Sequence, residues 1–313
     1  MSMPELLPGF RLGHTTDTRA WTGCTVLLCP PGTAASAAVQ GSSPGSRELA
    51  LLAPEKSMQE IHALVLTGGS AFGLAAAEGV MRWLEVHERG YETPWGIVPI
   101  VPAAVIFDLN VGARSVRPTA DAGYRACDEA TAAIGPQGNV GAGTGATVGK
   151  WNGMDYRMKG GFGIVSESLG EVTGFAMAVV NAVGDVLDCH GRIIAGARDE
   201  HGVFLGSEHA VRTLSRGSRL ERSNTTLAAV VLNGAFTKLE LFRIAQRMHD
   251  GVARAIVPAH TSYDGDVSFA LSNGTAHFDL DLAAEFAAHL TAEAIRSAVI
   301  HAHAIPGVPG LAG

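Results

Sequence analysis

Short apolar runs recur along the chain, at residues 25–28, 62–66, 100–106, 163–166, 175–181 and 226–232. A strand with one wet face alternates apolar and polar positions, whereas a run apolar throughout belongs to a strand covered on both faces. Between these runs the period changes. Residues 71–87 place Leu74, Ala77, Met81 and Leu84 on one side of a helix. Residues 119–134 read as an Ala-rich helix stopped by Gly135-Pro136. Further on, Asn233-Gly234 follows a strand, and Thr237-x-x-Glu240 is the capping box of a helix carrying Leu241, Ile244, Ala245 and Met248. A last Ala-rich helix is predicted over 282–302. Buried strands flanked by helices predict a layered α/β protein, here a single domain over 1–313.

One segment breaks the pattern. Residues 198–223 are polar, charged and without period, as an exposed loop is, and they run straight into the apolar strand that starts at Asn224-Thr225-Thr226. A polar linker ending one residue before a strand-initiating Thr suits a processing site, but taken alone it reads first as an ordinary surface loop before an ordinary strand.

Composition narrows the function classes. The chain is 47% hydrophobic and 17% charged, which predicts a well-buried enzyme and favours further burial in an oligomer. A net charge of −7 without a Lys/Arg cluster argues against nucleic acid as a partner. The amino terminus lacks a basic start and apolar run, and no stretch is long enough to span a bilayer, so no membrane role is expected. Four cysteines in 313 residues do not make a disulfide framework, and a cytoplasmic location with reduced thiols is expected.

Several motifs fail on inspection. Thr67-Gly68-Gly69-Ser70-Ala71-Phe72-Gly73 follows a strand and opens a helix, but Phe72 stands where a nucleophile elbow needs its second Gly. Gly69 and Ser70 are therefore expected to border the active site without Ser70 being the nucleophile. Gly145-Ala146-Thr147-Val148-Gly149-Lys150 is one residue short of a phosphate loop, and Trp151 replaces its Ser or Thr. No Cys/His spacing suggests a metal, and no cofactor is expected.

Two features carry chemistry. A Thr that becomes chain-terminal can act as nucleophile with its own α-amine as base. Thr225 would reach that state by attacking the Asn224 carbonyl, giving an ester that water hydrolyses. Asp264-Gly265-Asp266 places two carboxylates beside a strand; they either share a proton and hold the Thr225 amine and hydroxyl, or form a simple Asp-Gly turn.

The chain resembles the L-aminopeptidase/D-esterase family, which also holds β-peptidyl aminopeptidases and nylon-oligomer (6-aminohexanoate-oligomer) endohydrolases. The resemblance rests on Gly45-Ser46-Arg47-Glu48, the segment from Leu66 to Leu74, that from Val98 to Asp108, Gly143-Thr144-Gly145-Ala146 and Ser223-Asn224-Thr225-Thr226. It implies a four-layer αββα sandwich of the N-terminal-nucleophile-hydrolase kind. It also implies self-cleavage into chains 1–224 and 225–313 and assembly into homotetramers or larger. Thr225 matches the nucleophile, and Asp264 and Asp266 the paired acidic or hydroxyl positions. Asn181 matches an oxyanion-stabilising Asn, though an Asn ending a strand reads alike. Lys150 matches a Lys near the cut, whose charge would favour a neutral α-amine. Phe107 stands where some members have Tyr, so it shapes the pocket without a phenolic donor. The Thr nucleophile and Asp-Gly-Asp resemble the nylon-oligomer branch. The expected activity is hydrolysis of amide bonds in peptides or ω-amino-acid oligomers. The alternative is an acyltransferase of the ornithine-acetyltransferase kind, using the same processed Thr.

Overall fold

The computed structural model describes residues 5–206, 209, 210, 212 and 224–312. Its first sheet joins β1 (Arg11–Asp17), β2 (Thr22–Leu28), β4 (Ser46–Arg47), β5 (Ala63–Thr67) and β6 (Ala103–Val105) in the order β1-β2-β5-β6-β4. Its second joins β3 (Ala34–Val39), β7 (Gly161–Leu169), β8 (Val172–Asn181), β9 (Thr225–Gly234) and β10 (Val267–Ala276) in the order β7-β8-β9-β10-β3. Each sheet has one parallel pair, β5 with β6 and β9 with β10, and is otherwise antiparallel.

Three apolar cores separate four layers. Leu27, Leu64, Leu66 and Ile106 of the first sheet meet Phe175, Met177, Leu227, Ala229 and Phe269 of the second. Cys24, Val26 and Val65 face the other way, onto α1 (Ala76–Val86) and α2 (Ala120–Asp128). Ala228, Val230 and Ala270 face α3 (Lys238–Ala255) and α4 (Leu280–Ile300). Because successive strand residues point to opposite faces, a strand between two cores must be apolar at both parities. That is why β9 is buried from Thr225 to Leu232 and why its sequence is a continuous run. The arrangement is the αββα sandwich.

Details differ from the sequence expectation. Helix α2 stops at Asp128, because Thr131 and Ala133 bridge Leu12 and Glu5 in extended pairing; tertiary pairing overrides an Ala-rich propensity. The helix expected from residue 71 begins as a 3-10 turn over Ser70–Ala75. The last helix starts two residues early because Asp279 caps it, accepting from Leu282 N at 2.9 Å. Within the polar segment 198–223, Arg198 pairs with Phe204, and Ala210 is buried against Trp151 and Val183. Residues 207, 208, 211 and 213–223 lie outside the described residues. Among the described residues no helix is long and apolar enough to cross a membrane.

Candidate active site

Strand β9 begins at Thr225, which pairs directly with Asn181 at the end of β8. Both belong to the parity that faces the other sheet, with Leu227 and Val179. Thr225 thus stands at the open end of the space between the sheets. A cavity of about 220 Å³ lies there, lined by Ser43, Gly45, Ser70, Phe107, Asn224 and Thr225 among others. Asn224 and Thr225 are each only 5% exposed.

The bond between them is held from both sides. The Thr225 hydroxyl donates to the Asn224 carbonyl oxygen at 2.5 Å. The Gly265 main-chain N–H donates to the same oxygen at 2.8 Å. An oxygen with a fixed N–H donor is one on which negative charge can develop cheaply. Gly265 must be glycine here, since a Cβ would lie 2.9 Å from Thr225 Oγ1 and 2.5 Å from the Ser43 carbonyl oxygen.

Asn181 and Lys150 are fully buried partners. Lys150 Nζ donates to Asn181 Oδ1 at 2.8 Å and to the Asn181 carbonyl at 3.0 Å. Thr147 N also donates to Oδ1, at 3.0 Å. With its oxygen fixed by donors, the Asn181 amide turns its Nδ2 to the Phe107 carbonyl, to which it donates at 3.1 Å. Lys150 is therefore buried among acceptors rather than at the surface. Phe107 lines the cavity and contributes a main-chain carbonyl, not a ring hydroxyl.

Gly69 does not line the cavity but directly precedes Ser70, which does. Both have left-handed backbone, at φ 81° and 54°, a conformation that costs a serine energy. Asp108 fastens this turn: Oδ1 accepts from Gly69 N at 2.7 Å and Oδ2 from the Thr22 hydroxyl at 2.7 Å. Burial pushes the Asp108 carboxyl up despite those two bonds.

The two carboxylates sit below the Asn224–Thr225 bond. Asp264 accepts from Thr261 Oγ1 at 2.6 Å, Thr261 N at 3.0 Å and Val183 N at 3.3 Å. Burial, then the negative charge of Asp266, pushes Asp264 up to about 6. Asp266 accepts from Thr226 N at 2.6 Å through Oδ1, and from His260 Nδ1 at 2.7 Å through Oδ2. The pair is thus more than a turn: in the intact chain its bonds fix the backbone on either side of Gly265 and immediately after Thr225. All the residues singled out from the sequence, Thr225, Asn224, Asn181, Lys150, Asp264, Asp266, Phe107, Gly69 and Ser70, come together at this one end of the sandwich.

Sequence reasoning missed Gly265, Asp108 and His260. Main-chain donors carry no side-chain signature, and Asp108 came forward only as part of a segment. His260 lies four residues before Asp264, one His among twelve with no distinguishing spacing. Among the described residues no group of three or more His, Cys, Asp or Glu is placed to hold a metal ion.

The profile of Peptidase family S58 matches residues 7–312. An uncharacterized aminopeptidase of Mycobacterium leprae is 41% identical over 93% of this chain and 86% of its own length. A 6-aminohexanoate-oligomer endohydrolase of a Kocuria strain is 31% identical over 85% of this chain and 73% of its own. Among solved structures, the L-aminopeptidase D-Ala-esterase/amidase of Ochrobactrum anthropi, described as a variant of the Ntn-hydrolase fold, superposes with a TM-score of 0.71. It covers 98% of this chain and 91% of that one at 16% identity.

Proposed function

We propose that this chain, which belongs to peptidase family S58 and is a hydrolase of amide or peptide bonds, cleaves itself between Asn224 and Thr225 and then uses Thr225 as its nucleophile. The observation that carries this reading is the double grip on the Asn224 carbonyl, from the Thr225 hydroxyl and from Gly265 N–H.

The chemistry balances without a cofactor. Thr225 Oγ attacks the Asn224 carbonyl carbon, and charge gathers on the oxygen that Gly265 N–H already holds. The C–N bond breaks, the Thr225 nitrogen takes the hydroxyl proton, and an ester links Asn224 to Thr225 Oγ. Water hydrolyses that ester, leaving a carboxylate on Asn224 and a free α-amine beside the Thr225 hydroxyl. In turnover the same hydroxyl attacks a substrate amide, with the α-amine as base. Lys150 would hold that amine neutral by its charge, and Asn181 Nδ2 would donate to the substrate oxyanion. Asp264 and Asp266 would orient the amine and hydroxyl.

The match to a peptidase family favours water over an amine as acyl acceptor, hence hydrolysis over acyl transfer. Peptides or ω-amino-acid oligomers are the proposed substrates, supported by what the relatives are named for. Assembly of the processed chains into tetramers or larger is supported by Tyr91, Trp95 and Val98, apolar side chains exposed on one hairpin. Light scattering on the purified protein tests the assembly. Mass spectrometry tests the central claim. It should find one fragment ending at Asn224 and another beginning at Thr225; an intact chain, or a cut elsewhere, removes Thr225 from its role.

A further inference from the structure

Behind Asp266 lies a line of polar groups, the half-buried His260 and then the buried His249 and Ser268, that the chemistry above does not use. His260 Nδ1 meets Asp266 Oδ2 at 2.7 Å, and His260 N donates to the same oxygen at 3.2 Å. The other ring nitrogen, Nε2, faces the His249 carbonyl oxygen at 3.4 Å. The His249 ring stands edge-on to that of His260, with centroids 4.8 Å apart. His249 Nε2 in turn meets Ser268 Oγ at 3.0 Å and the Ala38 carbonyl at 3.2 Å. The line therefore runs from the start of β9 through Asp266 to α3, β10 and β3.

Two facts single out His260. Its backbone has φ 55°, a left-handed region that few residues other than glycine occupy, though histidine enters it more readily than most. Strain of this kind persists only where surroundings impose it, and it gathers at functional sites. Second, both of its ring partners are acceptors only: a carboxylate oxygen and a main-chain carbonyl. A neutral imidazole has one N–H; only the imidazolium can donate to both.

We propose that His260 is a positioning residue whose charged ring clamps Asp266, so that Asp266 holds Thr226 N and with it the nucleophile strand in register for cleavage and turnover. The proposal rests on the reading of Thr225 as nucleophile. The groups around His260 agree with a charged ring. Burial opposes its charge, but the hydrogen bond and negative charge of Asp266, with a smaller contribution from Asp264, outweigh it and raise its pKa above the ordinary value. His249 stays neutral, pushed down to about 4 by burial and by His260, while Asp266 and Asp250 pull weakly the other way. The attraction is mutual: Asp264 favours the charged ring, and the charged ring favours an ionised Asp264.

The test compares His260→Asn with His260→Leu. Asparagine tolerates positive φ and puts an amide N–H near the place of Nδ1, so it keeps the clamp and drops the charge. Leucine drops both. Uncleaved chain is refolded by dilution at pH 5.5 to 8.5, and cleavage is followed on denaturing gels from seconds to days. Far-ultraviolet dichroism checks that each variant folds. His260→Asn should cleave within about threefold of wild type at pH 8.5, but with its acidic limb moved upward by about half a pH unit or more. His260→Leu should be slower by about tenfold or more at every pH. If both variants keep the wild-type profile, or if asparagine is as slow as leucine at pH 8.5, the positioning role is overturned. If leucine cannot fold, the asparagine profile alone decides, its limb either moving or staying. A wild-type chain that never cleaves overturns the reading of Thr225 itself, which is a different result.

Discussion

Thr225 and Thr226 are neighbours, both buried, with the same side chain, yet the alternation of a strand gives them opposite surroundings. Thr225 faces the gap between the sheets with Leu227, while Thr226 lies on the side of Ala228 and Val230, toward α3 and α4. On the proposed reading only Thr225 attacks. Thr225→Ser keeps the hydroxyl and should still cleave, more slowly; Thr225→Ala should stay a single inactive chain. Thr226→Val should cleave normally, because what Asp266 holds is the main-chain N–H, which valine retains. Intact-mass measurement separates these outcomes, and a cleaved Thr225→Ala would show the wrong threonine had been chosen. Gly265→Ala makes a sharper demand. Its methyl would press on Thr225 Oγ1 and on the Ser43 carbonyl oxygen, the latter backbone that cannot swing aside. Cleavage should slow by about tenfold or more, approaching the cost of losing one oxyanion donor, about 100-fold. Equal rates for Gly265→Ala and wild type on a timed gel would dissociate this glycine from the step.

At the scale of elements, β9, α3 and β10 form one parallel crossover unit, and α3 is the part that carries His249 to the back of the site. Its amino terminus is closed by a full capping box: Thr237 accepts from Glu240 N at 3.3 Å, and Glu240 accepts from Thr237 N at 2.8 Å. Thr237→Ala should lower stability by about 1 kcal/mol in urea unfolding and leave the cut between Asn224 and Thr225 in place. This cap, and the strands with two buried faces, were legible from spacing alone, because they follow from local rules. The overrun of α2 was not: Thr131 and Ala133 are as helix-compatible as their neighbours, and only pairing with Leu12 and Glu5 draws them out. The site shows the same division. Asn224-Thr225 and Asp264-Gly265-Asp266 stand out as side-chain chemistry beside a strand. The donor of Gly265 and the clamp of His260 arise only when the β9–β10 register sets Gly265 opposite the cut and the helix brings a carbonyl to His260.

At the scale of the whole molecule, buried titratable groups pull stability in opposite directions as pH falls. His14 and His249 are held near 4 by burial, below their ordinary 6.5. Between those values the unfolded chain binds more protons, so their contribution is present above 6.5 and lost as pH falls through 4. Asp264 and Asp185 are pushed up to about 6 from 3.8, burial being the leading cause for both. For them the folded chain binds more protons, so their contribution is present below 3.8 and lost as pH rises through 6. Between pH 6.5 and 4 these two pairs offset each other. Asp185 offers the cleanest separation. Its Oδ1 accepts from Trp151 Nε1 at 2.9 Å and from Ala197 N at 2.7 Å, whereas Oδ2 is buried with no hydrogen-bond partner among the described residues. Ionised, it is a buried charge half satisfied. Asp185→Asn can keep both bonds through its oxygen and removes the charge. At about 1.4 kcal/mol per pKa unit, the gain at pH 8 is at most about 3 kcal/mol. Fully processed wild type and Asp185→Asn should therefore differ most at pH 8, with the variant melting higher, and converge toward pH 4. A variant that melts lower at pH 8, or a gap that does not change with pH, would mean that ionising Asp185 costs the fold nothing.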